Sequence, residues 1–349
     1  MKTELKKIDS SHIDEDIVER AAAIIRAGGL VAFPTETVYG LGADALNAEA
    51  SARIYAAKGR PSDNPLIVHI ADFADMERIA EYMPAAARLL ADAFWPGPLT
   101  MIVRGNDRIP RETTGGMDTV AVRMPSHPVA LELIRKSGGY IAAPSANTSG
   151  RPSPTLAEHV AEDMDGRIPM ILDGGPVGIG IESTIVDLTE KVPMVLRPGY
   201  ITLDMLKKII GEVEMDPGII ATDSVTRPKA PGMKYKHYAP RADMILVDGE
   251  EEKVVKTINA LAKDAEDSGK KVGIIATDET RERYGRGEVV SIGARQDEDA
   301  IARHLYRILR EFDERNVDVI YSESFATPRI GQAIMNRLLK AAGHQIITV

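Results

Sequence analysis

Residues 30–37 read LVAFPTET. Four apolar residues, Leu30 to Phe33, are too few for a helix, and Pro34 stops them, so they predict a short buried strand that runs into a polar loop. Working backwards, Ile17, Ala21, Ile24 and Ile25 fall on one face of a helix from about 13 to 27, which Gly28 and Gly29 end. Working forwards, further apolar runs recur at 65–70, 99–103, 119–124, 140–145, 169–175, 183–188 and 193–199. Helical spacing lies between several of them, around 47–57, 72–93, 127–137, 155–164 and 202–211. Helices interleaved with strands predict an α/β fold, and strands that follow one another directly predict a mixed sheet.

From Glu212 to Arg241 neither period survives, and Pro, Gly, Asp, Thr and Ser dominate. This stretch predicts an interdomain linker. Beyond it, apolar runs at 244–248, 271–276, 288–292, 317–323 and 345–349 alternate with helical spacing at about 250–268, 297–315 and 329–342. That is the pattern of a small Rossmann-like parallel sheet. The expected division is therefore a first α/β domain over 1–211, a linker over 212–241 and a second α/β domain over 242–349.

Composition narrows the chemistry. With 44% hydrophobic and 27% charged residues, the 349-residue chain packs into domains. It has no cysteine, which removes disulfides, thiol nucleophiles and thiolate metal sites and fits a reducing cytoplasm. The charged N-terminus lacks the apolar core of a signal peptide, and no window approaches about 20 apolar residues, so a soluble, cytoplasmic protein without a membrane partner is expected. Acidic residues outnumber Lys and Arg by 52 to 43, for a net charge of -9, so any phosphate must be held by a local cluster. A general RNA-binding surface is disfavoured by the same charge and by 5% aromatic content, although a local tRNA contact stays open.

Neither G-x-x-x-x-G-K-[ST] nor G-x-G-x-x-G occurs after a strand. Instead four loop segments gather polar and conformationally special residues: PTETVYGLGAD (34–44), KGRPSDNPLIVHI (58–70), PSANTSGRPSPT (144–155) and GIESTIVD (180–187). Lys58 and Arg60 precede two prolines; they read either as a solvated turn or as a stiff polyphosphate loop. Ser145, Asn147, Thr148, Ser149 and Ser153 read either as turn and cap residues or as anion donors ahead of the helix near 155. Arg123 alternates with Val122 and points off the opposite strand face, as a surface ion pair or a carboxylate clamp. His69 reads as a backbone-bonded core histidine or a ligand contact.

Taken in order, FPTETVYGLGADA, KGRPSDNPLIVHI, WPGPLTMIV, VAVRMPSHP, APSANTSGRPSPT, GIESTIVD and LRPG resemble the YrdC family over the first two hundred residues. The linker APGMKYKHYAP (230–240) and the C-terminal segment resemble its long, two-domain form. The resemblance implies an ATP-dependent nucleotidyltransferase that joins L-threonine, bicarbonate and ATP into L-threonylcarbamoyl-AMP, releases pyrophosphate and feeds tRNA modification through downstream transfer proteins. It implies that Thr37, His69, Arg123 and Ser183 meet threonine. It places Lys58, Arg60, Asn64, Thr119, Ala143, Ser145, Asn147, Ser153, Arg197 and Tyr235 on the ATP side, with Lys58 and Arg60 stabilising charge at the reacting groups. Magnesium is implied as the companion of ATP, with no protein ligand singled out. A related carbamoyl-transfer chemistry on carbamoyl phosphate usually comes with a zinc-binding accessory domain, and the lack of cysteine excludes that form. Between Ser224 and Ala242 the linker carries Arg227, Lys229, Lys234, Lys236 and Arg241 and no acid; by composition it reads as a passive linker, whereas its resemblance to the family's linker implies a lid over the nucleotide with Tyr235 reaching in.

Overall fold

Val31–Phe33 is a strand, and its alternation divides a core between two faces of a sheet. Val31 and Phe33 pack with Val18, Ala21 and Ile25 of the helix Glu15–Arg26 and with Val129 and Leu133 of the helix Pro128–Lys136. Ala32 faces the other way, into a larger cluster with Tyr39, Leu41, Val68, Met101 and Val122. The structure is a computed structural model that describes residues 2–219, 238–325 and 328–349. The chain separates into two units: 1–149, 153–178 and 182–234 form one, and 150–152, 179–181 and 235–349 the other.

The first unit holds an 11-stranded sheet in the order Glu4–Lys7, Met170–Asp173, Val31–Phe33, Gly40–Asp44, Ile141–Ala142, Ile67–His69, Thr119–Arg123, Leu99–Arg104, Thr184–Asp187, Met194–Arg197, Glu214–Met215. Parallel and antiparallel pairings alternate irregularly across it, so the sheet is mixed. Several elements differ from their sequence reading. Gly40–Asp44, read as loop, pairs antiparallel with Val31–Phe33, so that PTETVY becomes a hairpin connection. Its glycines carry no apolar side chain to signal a strand, yet they are required: a Cβ on Gly42 would sit 2.8 Å from Ile141 Cγ2 and from the Phe33 ring. The helical spacing over 72–93 resolves into two helices, Phe73–Ile79 and Ala85–Phe94, because Pro84 lacks the N–H that a continuous helix needs and starts the second one instead. Of the stretch read as linker, Glu214–Met215 adds an edge strand beside Met194–Arg197; two residues are too short to show a period.

The second unit carries a five-stranded, all-parallel sheet in the order Glu288–Ser291, Val272–Ala276, Val319–Glu323, Asp243–Asp248, Ile346–Thr348. The helix Glu251–Asp267 lays Val254, Val255, Ile258 and Ala262 against Val272, Ile274 and Val319 on one face. Phe312 of the helix Glu298–Glu314 closes on the other, where a Cβ on Gly273 would approach its ring to 3.0 Å.

Candidate active site

The period of two sets a polar row across the first sheet. Val68, Met101, Val120, Val122 and Val186 face the large core, whereas Ile67, Ile102, Ala121, Ile185 and Leu196 form a separate cluster drawn from five strands and no helix among the described residues. His69, Thr100, Thr119, Arg123 and Ser183 share the parity of that second cluster and extend it as polar side chains. His69 stands opposite Arg123, and Arg123 opposite Thr100, in the strand register. Arg197 joins through an irregularity: Val195 pairs Val186 and Arg197 pairs Ile185, so Leu196 and Arg197 together oppose one residue. Such a bulge turns two successive side chains to the same face.

Hydrogen bonds tie the row together. Arg123 is 4% exposed, donates from Nη1 to Thr37 Oγ1 (3.0 Å) and pairs through Nη2 with Glu36 Oε1 (2.6 Å). Glu36 also accepts from Ser126 N (3.1 Å), which holds its carboxylate against the guanidinium. Thr37 Oγ1 lies 2.9 Å from Thr35 Oγ1, and Ser183 Oγ lies 2.8 Å from Thr100 Oγ1. Arg197 donates from Nε to Ser183 O (3.0 Å) and from Nη2 to Ser183 Oγ (3.1 Å). His69 is fully enclosed, its Nδ1 donating to Ile67 O (3.1 Å). Burial first, and the Arg123 charge second, push its pKa down to about 3, so the ring is neutral at working pH. The four threonine-side candidates, Thr37, His69, Arg123 and Ser183, thus stand along one row.

The ATP-side candidates divide between that row and the loops beside it. Lys58, at the last turn of the helix Ala48–Lys58, is 3% exposed and donates to Ser145 O (2.5 Å) and Asn147 O. Gly59 takes the left-handed conformation (φ 62°) that ends this helix, which is why a glycine suits that position. Arg60 donates to Asn64 O (3.3 Å) and Pro65 O (3.1 Å), bracing its own loop. Asn64 is buried, and its Oδ1 has no hydrogen-bond partner among the described residues. Ser145 Oγ donates to Asn147 Oδ1 (2.6 Å), and Ser153 Oγ to Glu182 Oε1 (2.5 Å). Ala143 N donates to Ile67 O (2.9 Å), which leaves its carbonyl as the group to offer a ligand. Thr119 begins the strand that ends in Arg123. Tyr235 and the linker's cations up to Lys236 lie outside the described residues.

Sequence reading passed over Glu36, Thr100 and Glu182. Thr100 was legible in LTMIV, where it breaks the apolar run at the parity of Ile102. Glu36 and Glu182 sat in quoted motifs but have no local pattern; only the fold brings them to Arg123 and Ser153. A cavity of about 580 Å³ that includes Arg53 and Arg167 lies elsewhere in the unit and is lined by none of the row.

The family described as "Telomere recombination" matches residues 23–199, and that described as "Threonylcarbamoyl-AMP synthase, C-terminal domain" matches residues 201–343. Threonylcarbamoyl-AMP synthase of Pyrococcus abyssi is 51% identical over 337 residues, 97% of either chain. The Bacillus subtilis protein of the same name is 48% identical over 340 residues, 97% of this chain and 96% of that one. A crystal structure of P. abyssi Sua5 complexed with L-threonine matches with a TM-score of 0.94 and 49% identity, over 99% of this chain and 100% of the other.

Proposed function

The chain belongs to the Sua5/YciO/YrdC family in its two-domain form, and from that membership we propose that it is a threonylcarbamoyl-AMP synthase using L-threonine, bicarbonate and ATP. The observation that carries the reading is the buried row of Thr37, Arg123, Thr100, Ser183 and Arg197, with neutral His69 beside it. P. abyssi Sua5 has been solved with L-threonine at 49% identity, which supports a threonine site here. Arg123 takes the substrate carboxylate, Thr37 and Ser183 its polar groups, and His69 serves as a hydrogen-bonding wall rather than a titrating base. Lys58, Arg60, Asn64, Thr119, Ala143, Ser145, Asn147, Ser153 and Arg197 surround ATP.

The chemistry needs positioning and charge neutralisation more than a covalent nucleophile. Bicarbonate takes up a proton and loses water to give carbon dioxide, to which the threonine amine adds, forming an N–C bond and losing a proton to give the carbamate. A carbamate oxygen then bonds the α-phosphorus as the bond to the bridging oxygen of pyrophosphate breaks. Lys58 and Arg60 neutralise the charge that builds up at these groups. Magnesium would accompany ATP, held mainly by its phosphates and water. The product passes to tRNA-modifying transfer proteins; among the described residues no helix is long and apolar enough to cross a membrane.

The test is to incubate the protein with ATP, bicarbonate and single amino acids and to follow pyrophosphate. Release that requires both threonine and bicarbonate is expected. Tight, salt-sensitive RNA binding without threonine-dependent pyrophosphate would overturn the assignment.

A further inference from the structure

We propose that the second unit carries its own small-molecule site, for a zwitterion of α-amino-acid size, at the crevice between the strands Asp243–Asp248 and Val319–Glu323. The topology places the crevice. These two strands are neighbours, but the helix Glu251–Asp267 leaves the first for Val272–Ala276 on one side, whereas the helix Gly331–Ala341 leaves the second for Ile346–Thr348 on the other. Neighbouring parallel strands whose connections depart in opposite directions open a gap at their carboxyl ends, and that gap is where open α/β sheets bind ligands. A cavity of about 230 Å³ occupies this point, lined by Gly249, Glu251, Val254, Arg295, Glu323 and Ser324.

The side chains define the ligand. Glu323, 1% exposed, is already committed: Thr280 and Tyr284 donate to Oε1, the latter at 2.7 Å, and Arg295 pairs with Oε2. Glu323 therefore orients Arg295, whose Nη1 also reaches Ser324 O (3.2 Å). Arg295 Nε is buried and makes no hydrogen bond among the described residues, and Glu251 Oε2 stands 3.8 Å from it. The other Glu251 oxygen is held by Arg283 (2.9 Å). Beside them the helix Glu251–Asp267 starts with no side-chain cap on its first N–H groups. Arg295 and Glu251 thus both line the cavity, and the 3.8 Å between Nε and Oε2 is too long for a hydrogen bond between them.

A molecule carrying both charges answers both groups, its carboxylate beside the Arg295 guanidinium and the first-turn N–H groups and its ammonium on Glu251. Size and charge exclude the alternatives. The cavity is smaller than the roughly 300–1,000 Å³ of most ligand pockets, too small for a nucleotide. Two acids against one arginine in its lining disfavour a polyanion. The proposal does not depend on the reaction assigned to the first unit.

Isothermal titration of the full-length Arg123→Ala protein, in which the first unit's carboxylate clamp is removed, tests it with each of the twenty standard amino acids, inorganic phosphate and ethylamine. At least one amino acid binds at or below about 10 mM, and phosphate and ethylamine bind at least tenfold more weakly. Glu251→Gln, a partly exposed change that leaves the Glu323 cluster intact, weakens that binding at least tenfold, as does Arg295→Met if it folds. The proposal fails if no amino acid binds, if only phosphate does, or if binding is indifferent to Glu251→Gln. None of these outcomes alters pyrophosphate release by the unmodified first unit, so the two readings fail separately.

Discussion

Arg123 is buried with a counter-ion supplied by its own chain, Glu36, and both are nearly solvent-free, at 5% and 13% side-chain exposure. If Arg123 clamps the substrate carboxylate as proposed, Arg123→Ala raises the threonine requirement at least tenfold with a smaller change for ATP; initial rates at varied threonine check this. Glu36→Ala leaves the empty protein with a buried charge lacking its carboxylate, which costs on the order of 3 kcal/mol. Threonine then supplies the missing carboxylate, so the variant should gain more in melting temperature from saturating threonine than the parent does. An equal gain in both would show that Glu36 and substrate do not share Arg123. Sequence made Arg123 and His69 visible because a charge or imidazole interrupts an apolar strand at the parity opposite Val122 and Val68. It left Glu36 invisible because its partner is 87 residues away.

Strand ends and the turns that follow them set how these side chains meet. LRPG was read as a strand that ends in a turn, freeing Arg197. The structure adds the bulge at Leu196, and it brings Gly199 so close to the neighbouring strand that a Cβ would lie 2.5 Å from Thr184 N and 2.9 Å from Glu182 O. Gly199→Ala should push the 182–184 segment outward, cost about 1–3 kcal/mol in urea denaturation and, by moving Ser183, weaken threonine binding several-fold. Unchanged threonine affinity would separate this turn from the site. The hairpin of Val31–Phe33 and Gly40–Asp44 makes the same point: glycine hides a strand from periodicity while being the residue that close packing requires.

Acid stability reports the first unit's burial as a whole. His69 titrates near 3 when folded and near its ordinary 6.5 when unfolded, and burial also holds His127 below its usual range. Above pH 6.5 the neutral ring is undisturbed; between 6.5 and about 3 the unfolded chain takes up a proton that the folded one refuses, so stability falls as pH falls. Urea melts from pH 7 to 4.5 should show His69→Asn losing less stability than the parent, by up to about 1.4 kcal/mol per pH unit; parallel slopes would remove His69 from the acid response. By itself the sequence determined the two α/β layouts, the absence of sulfur chemistry and the motifs of the family, because hydrophobic period, composition and loop residues act locally. Only the tertiary structure decided which residues meet: the polar row, the Glu36 counter-ion, the strands Gly40–Asp44 and Glu214–Met215, and the crevice at Arg295. Those depend on strand order and register, and such long-range pairings leave no period in the chain.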